Sequence, residues 1–173
     1  KKLVDFLDER LFQKLGIEKP IWRETKSGQT LGGTGLELSS DSITKFGIML
    51  KNKGTYNGER IVSEEYLALA TSHHSIDVNN GSPDWTAGYG YQFWINDREG
   101  YRGDGAFGQL CMVFPSEDTL VTVLGEVGNM AREVELVYKL LDTMYGESTD
   151  ASELEELTKT AYRNLEFING GKF

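Results

Sequence analysis

Leu3, Val4, Leu7, Leu11 and Leu15 recur at the spacing of one helix face, with Asp5, Asp8 and Glu9 between them. That period predicts an amphipathic helix. Gly16 is its natural stop, because glycine adopts a left-handed cap at least cost. Residues 17–35, rich in glycine and carrying Pro20, read as a long irregular loop. Ser39 or Ser40 then caps a helix whose apolar face is Ile43, Phe46, Met49 and Leu50 and which ends at Gly54. Asn57-Gly58 signals a tight turn. Ser63 opens a short helix with Glu64 and Glu65 at its positive end. Residues 72–87 read as a polar loop.

The period changes in the middle of the chain. Tyr89, Tyr91, Phe93 and Ile95 alternate with Gly90, Gln92 and Trp94, a strand pattern. Residues 96–100 supply a turn, Leu110–Phe114 a second strand and Thr119–Leu124 a third. Short connections make an antiparallel meander the economical arrangement. Met130, Val134, Val137, Tyr138, Leu141 and Tyr145 form a helical stripe long enough to cover that sheet. The predicted fold class is α+β, an antiparallel sheet of about three strands flanked by helices. This is a thin core with edges that need protection. Residues 148–150 read as a linker, and Leu154, Leu157, Ala161 and Leu165 as a weak terminal helix, which divides the chain at about residue 147.

Composition narrows the function. The 173 residues are 39% hydrophobic and carry 27 acidic against 18 basic side chains. A packed globule follows, and a net charge of −9 argues against a nucleic-acid partner. One cysteine, Cys111, excludes an internal disulfide and a cysteine-built zinc site. The chain opens without methionine inside a helical pattern, as expected of a piece of something longer.

Three short matches to serine-hydrolase motifs occur: Ser42-Ile43-Thr44-Lys45, Tyr162-Arg163-Asn164 and Lys26-Ser27-Gly28. Each fixes only two or three common residues, their order is scrambled, and their contexts are wrong, so all three read as coincidences. His73-His74 reads as loop packing, since adjacent side chains on a loop diverge. Tyr89, Tyr91 and Trp94 are candidates for a cleft, although alternating aromatics such as Tyr91 and Phe93 read first as core. The segment Tyr101–Pro115 contains Arg102-Gly103-Asp104, an adhesion triplet if both charged side chains are exposed. It also contains Gly103, Gly105 and Gly108 at the approach to a strand. Glycine there marks either close approach of a ligand to the backbone or a bulge.

The segments "GGTGLELSSDSITKFGIMLKNKGTYNGERIVSEEYLALATS", "GYGYQFWI" and "GDGAFGQLCMVFPSEDTLVTVLGE" together, in this order, resemble the C-terminal half of the beta-lactamase-like serine hydrolases. That family spans class C beta-lactamases, low-molecular-weight penicillin-binding proteins, esterases and amide hydrolases. The resemblance runs from about Leu3 to about Tyr145. It implies acyl-enzyme hydrolysis of an ester or amide, a peptidoglycan-type peptide included, without cofactor or metal. It places Gly103-Asp104-Gly105 on the family's third motif, with the backbone N–H of Ala106 in the oxyanion hole. Gly103, Asp104, Gly105, Gln109 and Tyr89 are then the candidate substrate-binding residues. Gly103 stands where the family carries lysine or histidine, which fits esterases and amidases better than beta-lactamases. The nucleophile motifs are absent, so the resemblance implies an inactive fragment. Its partners would be the N-terminal portion of the same domain, a small-molecule or peptide acyl substrate, and a second copy through exposed sheet edges. The alternatives are a non-catalytic binding or adhesion module and a degenerate hydrolase-like domain.

Overall fold

The computed structural model describes residues 2–75 and 83–146. The segment expected to form the linker and terminal helix, including Tyr162-Arg163-Asn164, lies outside the described residues.

The leading helix forms, but in two parts: α1 (Leu3–Leu7) runs into a π-helical turn (Asp8–Phe12), and Gly16 follows at φ +63°. α2 (Ser40–Lys51) begins where Ser39 Oγ accepts the Ser42 N–H at 3.2 Å. β1 (Thr55–Tyr56) and β2 (Glu59–Arg60) flank the Asn57-Gly58 turn, where both central residues have positive φ. α3 (Glu64–Ala70) is capped by Ser63. A single turn, α4 (Pro83–Thr86), precedes the main sheet.

That sheet is a meander of β3 (Trp94–Ile95), β4 (Tyr101–Gly105), β5 (Gln109–Phe114) and β6 (Thr119–Leu124), every neighbouring pair antiparallel. α5 (Met130–Tyr145) follows, its first turn capped by Asn129. The architecture is the expected α+β, an antiparallel sheet flanked by helices, with four strands rather than three. The added strand is β4, which pairs with β5 from Tyr101↔Val113 to Gly105↔Gln109. Two glycines and two charges hide it from propensity; its neighbour supplies the reason to be extended.

The expected strand through Tyr89–Ile95 is mostly not one. Only Trp94 and Ile95 join the ladder. The Tyr91 N–H instead bonds the Ala70 carbonyl at the end of α3 (2.8 Å), and Gln92 turns at φ +65°. Docking onto a helix end has overridden the alternating pattern, and it leaves Tyr91 45% exposed rather than in the core. Residues 17–35 are also more ordered than an irregular loop. Antiparallel bridges at Trp22↔Leu36 and Glu24↔Thr30 fold residues 22–36 into a ribbon.

β5 divides the core. Leu110, Met112 and Phe114 pack against Val134, Val137 and Leu141 of α5. The alternate residue Val113 belongs to the other cluster, with Met49 and Leu50 of α2 and with Phe12, Leu15 and Ile17. The sheet is therefore a middle layer between α5 and α2, and strand alternation distributes the two cores. α2 lies so close that a Cβ at Gly47 would come 2.6 Å from Leu120 Cδ1 and 2.9 Å from Cys111 Sγ. Overpacking a core costs about 1–3 kcal/mol. We expect Gly47→Leu to lower stability by about that amount, read as a lower urea midpoint with an unchanged denaturant slope.

Candidate functional site

The β4–β5 hairpin ends in a three-residue turn, Ala106–Gly108, next to an open cleft of about 630 Å³. Asp104, Gly105, Ala106, Phe107 and Gln109 form one wall; Trp22 and Gly32–Leu36 form the other. The far wall is fixed by Trp22, whose indole Nε1–H donates to the Leu31 carbonyl (2.9 Å) and the Thr34 carbonyl (3.1 Å). One side chain thus pins the glycine-rich bend that faces the hairpin.

The near wall is held from behind. The Gly125 N–H donates to the Gly108 carbonyl (2.6 Å) and the Val127 N–H to the Phe107 carbonyl (3.0 Å). Gln109 Nε2 reaches the Gly125 carbonyl at 2.7 Å. Phe107 and Gly108 sit at φ +68° and +90°. A left-handed phenylalanine is an unfavourable backbone state that persists only where its surroundings impose it, a condition that clusters at ligand sites. Phe107 lines the cleft and is 48% exposed. The Ala106 N–H has no backbone partner among the described residues.

Beneath the hairpin lies a buried charged cluster. Arg102 is 0% exposed. Its Nε donates to Asp104 Oδ2 (2.9 Å) and its Nη1 to Asn96 Oδ1 (3.2 Å); Nη1 also lies 3.5 Å from Asp84 Oδ1, and the guanidinium stacks 4.7 Å over the Trp85 ring. The Tyr138 hydroxyl of α5 donates to Asp84 as well. The Asp104 side chain is only 4% exposed. Its burial pushes the carboxyl up from the usual range, opposed by the hydrogen bond and charge of Arg102. These contacts remove the Arg-Gly-Asp triplet from adhesion: both charged side chains point inward from a strand.

The predicted site residues separate into two groups. Asp104, Gly105, Ala106 and Gln109 come together along the near wall. Gly103 lies further back on β4, and Tyr89 is elsewhere, its ring edge-on to Trp94 at 4.6 Å. Tyr89 therefore does not line this cleft. A Cβ at Gly103 would meet nothing closer than Cys111 Cβ, at 4.0 Å. Packing therefore does not demand glycine there. Sequence reasoning missed Trp22, Phe107 and the second glycine run. The one available signal was Phe107 between two small residues in a turn.

The described residues hold no activated nucleophile in this cleft. Ser42 bonds Ser39 Oγ (3.0 Å) in the first turn of α2. Lys45 is turned to Asp41 (2.8 Å) and to the Gly16 carbonyl (3.0 Å). The Asp41 hydrogen bond raises its pKa, the opposite of what a general base needs. Burial pushes the Cys111 thiol up to about 12, which leaves it inert. His74 stacks on Tyr91 at 4.5 Å and bonds the Leu69 carbonyl, a packing role.

No family model matches the chain, and no curated protein matches it at a significant level. Among solved structures it is similar to the "Putative 6-aminohexanoate-dimer hydrolase from Bacillus anthracis", with a TM-score of 0.65 and 20% identity over 83% of this chain. The two share a mixed α+β fold in which an antiparallel sheet is flanked by helices. The chain spans 39% of that protein's length. At this identity the likeness concerns the fold alone.

Removing one member of a buried ion pair strands the other, at about 3–5 kcal/mol. We expect Arg102→Met to lose about that much at neutral pH. Without Arg102, the Asp104 carboxyl rises further. A carboxyl whose folded pKa exceeds its unfolded one loses stability as pH climbs between the two. The deficit of Arg102→Met should therefore shrink as pH falls to about 4, measured by urea denaturation across that range.

Proposed function

We propose that the chain is the C-terminal part of a serine hydrolase that cleaves an ester or amide through an acyl-enzyme, and that it contributes the oxyanion wall. The observation that carries this is the Ala106 N–H: it has no backbone partner among the described residues, its residue lines the cleft, and the next two residues of its turn are held at positive φ. A fixed N–H facing a cleft is what a developing oxyanion requires. The nucleophilic serine, its lysine and the tyrosine belong on this reading to a preceding portion of a longer parent. That the chain spans only 39% of the structural neighbour's length supports this reading. β6 fits as well, since it is an edge strand with no neighbour beyond it among the described residues. Such an edge can accept a strand from the N-terminal portion, or from a second copy when that portion is absent.

The substrate side follows from what lines the cleft. Among the described residues its one ionisable lining group is Asp104, and that carboxyl is occupied by Arg102. With Gly103 in place of a cation, the wall suits an uncharged acyl group that approaches Gly105–Phe107 and the Trp22 face. It does not suit a carboxylate-bearing lactam or a substrate held by a charge.

The 173-residue chain alone should take up no fluorophosphonate. Joined to the upstream portion of its parent, it should be labelled at one serine of that portion. Stoichiometric labelling of Ser42 in the isolated chain would overturn the reading, and an unlabelled joined protein would favour a degenerate domain. In the joined protein, Ala106→Pro removes the N–H and should lower kcat by about 10²–10³-fold. Gly103→Lys should fold normally and improve kcat/KM for acyl substrates bearing a carboxylate relative to neutral ones, compared in a matched ester pair.

A further inference from the structure

Glu133, in the first turn of α5, is 8% exposed and reaches over the sheet to the back of the Ala106–Gly108 turn. Its carboxyl rests on two glycines. A Cβ at Gly108 would collide with both carboxyl oxygens, and one at Gly125 would lie 2.6 Å from Oε1. Oε2 is buried and makes no hydrogen bond among the described residues. The two glycines it covers are joined to each other by the Gly125 N–H to Gly108 carbonyl bond, so the carboxyl sits on the clasp that holds the turn.

The charges around it favour the neutral acid. From β4 it faces Asp104, which is bound to Arg102 and through it linked to Asp84 of α4. The turn and the segment after β6 present Gly108, Gly125 and Val127, none of them charged, while Glu126 in that segment is exposed. On α5 its neighbours Arg132 and Glu135 pair with each other at the surface. Arg102 is thus engaged by two carboxylates and bonds neither oxygen of Glu133. Among the described residues a third negative charge would have no hydrogen-bonded counterion, although Arg102 Nη2 is itself without a partner. A neutral carboxyl is tolerated as a packing group; an unpaired carboxylate in the same position must recruit water or push the turn away.

We infer that Glu133 is a positioning residue for the oxyanion turn, its uncharged carboxyl forming the floor under Gly108 and Gly125, and that its ionisation loosens the turn. The assignment rests on Ala106 being the oxyanion donor. Burial, reinforced by the charge of Asp104, pushes the Glu133 carboxyl up to about 7. Below the ordinary value of 4.5 the group is protonated both folded and unfolded, and it contributes no pH dependence. Between there and about 7 only the unfolded chain ionises, so stability declines as pH rises and levels off above. The folded turn itself loosens near the upper end of that window.

Amide hydrogen exchange on the full 173-residue chain reads this directly. Across about pH 5.5 to 8.5, protection at Gly125 and Val127 should fall by about tenfold once intrinsic exchange rates are divided out, while protection within β5 stays constant. Glu133→Gln, uncharged and nearly isosteric, should hold the same protection throughout. In the joined protein the wild type should lose kcat over the same range, and Glu133→Gln should keep it. Protection in the wild type that ignores pH, or a Glu133→Gln profile that still titrates near 7, would overturn the inference; the first needs no variant to fold. A titrating turn combined with an Ala106→Pro enzyme of full activity would defeat the assignment through the oxyanion reading, with the Glu133 measurements intact.

Discussion

A single guanidinium, fully enclosed beneath a β-hairpin, is the constraint on which the rest depends. Arg102 cannot be buried without partners, because a lone charge in a protein interior costs several kcal/mol even after relaxation. Its partners come from separate places in the chain: Asp104 from its own strand, Asn96 from the preceding turn, and Asp84 and Trp85 from α4. Tyr138 then ties α5 to the same group through Asp84. Once Arg102 points toward α5, strand alternation forces Gly103 and Gly105 to the opposite face. The register against β5 follows, with Arg102 opposite Met112 and Asp104 opposite Leu110.

The site is the open end of that arrangement. The charged cluster holds the hairpin from one side, and Gly125 and Val127, just after β6, clasp its turn together with Gln109 of β5. The ribbon of residues 22–36, pinned by Trp22, supplies the facing wall. What reaches the cleft from β4 and its turn is mainly backbone, with the exposed ring of Phe107 beside it. A backbone donor is held as firmly as the strand that carries it. This explains why a heavily braced hairpin ends in residues as small as Gly105 and Ala106.

Where sequence and structure agree, a local signal carried the information. The stripe from Met130 to Tyr145 gave α5, Ser39 and Ser63 gave helix starts, Asn57-Gly58 gave the β1–β2 turn, and the short strands expected at Leu110–Phe114 and Thr119–Leu124 are β5 and β6. The failures share a cause too. β4 looks unlike a strand because its composition serves the charge cluster and the hairpin end, and pairing with β5 makes it extended. Residues 89–93 look like a strand and are not, because the end of α3 offers the Ala70 carbonyl first. Tyr89 is a cleft candidate as an aromatic in the alternating run; the fold turns its ring to Trp94. Asp104, Gly105, Ala106 and Gln109 were legible together only because they are contiguous.

The sequence by itself determined the α+β class, the order of the helices, the turn glycines and the stretch that carries the candidate oxyanion residue, since each is written within a few neighbouring positions. Tertiary structure decided which way that stretch faces. Arg102 and Asp104 were equally compatible with an exposed triplet and with a buried pair until Asp84, Asn96 and Trp85 arrived from elsewhere in the chain. Charges reveal their role only through partners, and those partners are set by contacts at long sequence separation. The same holds for Glu133: a solvated helix charge by its sequence neighbours, it is a buried acid under two glycines once α5 crosses the sheet.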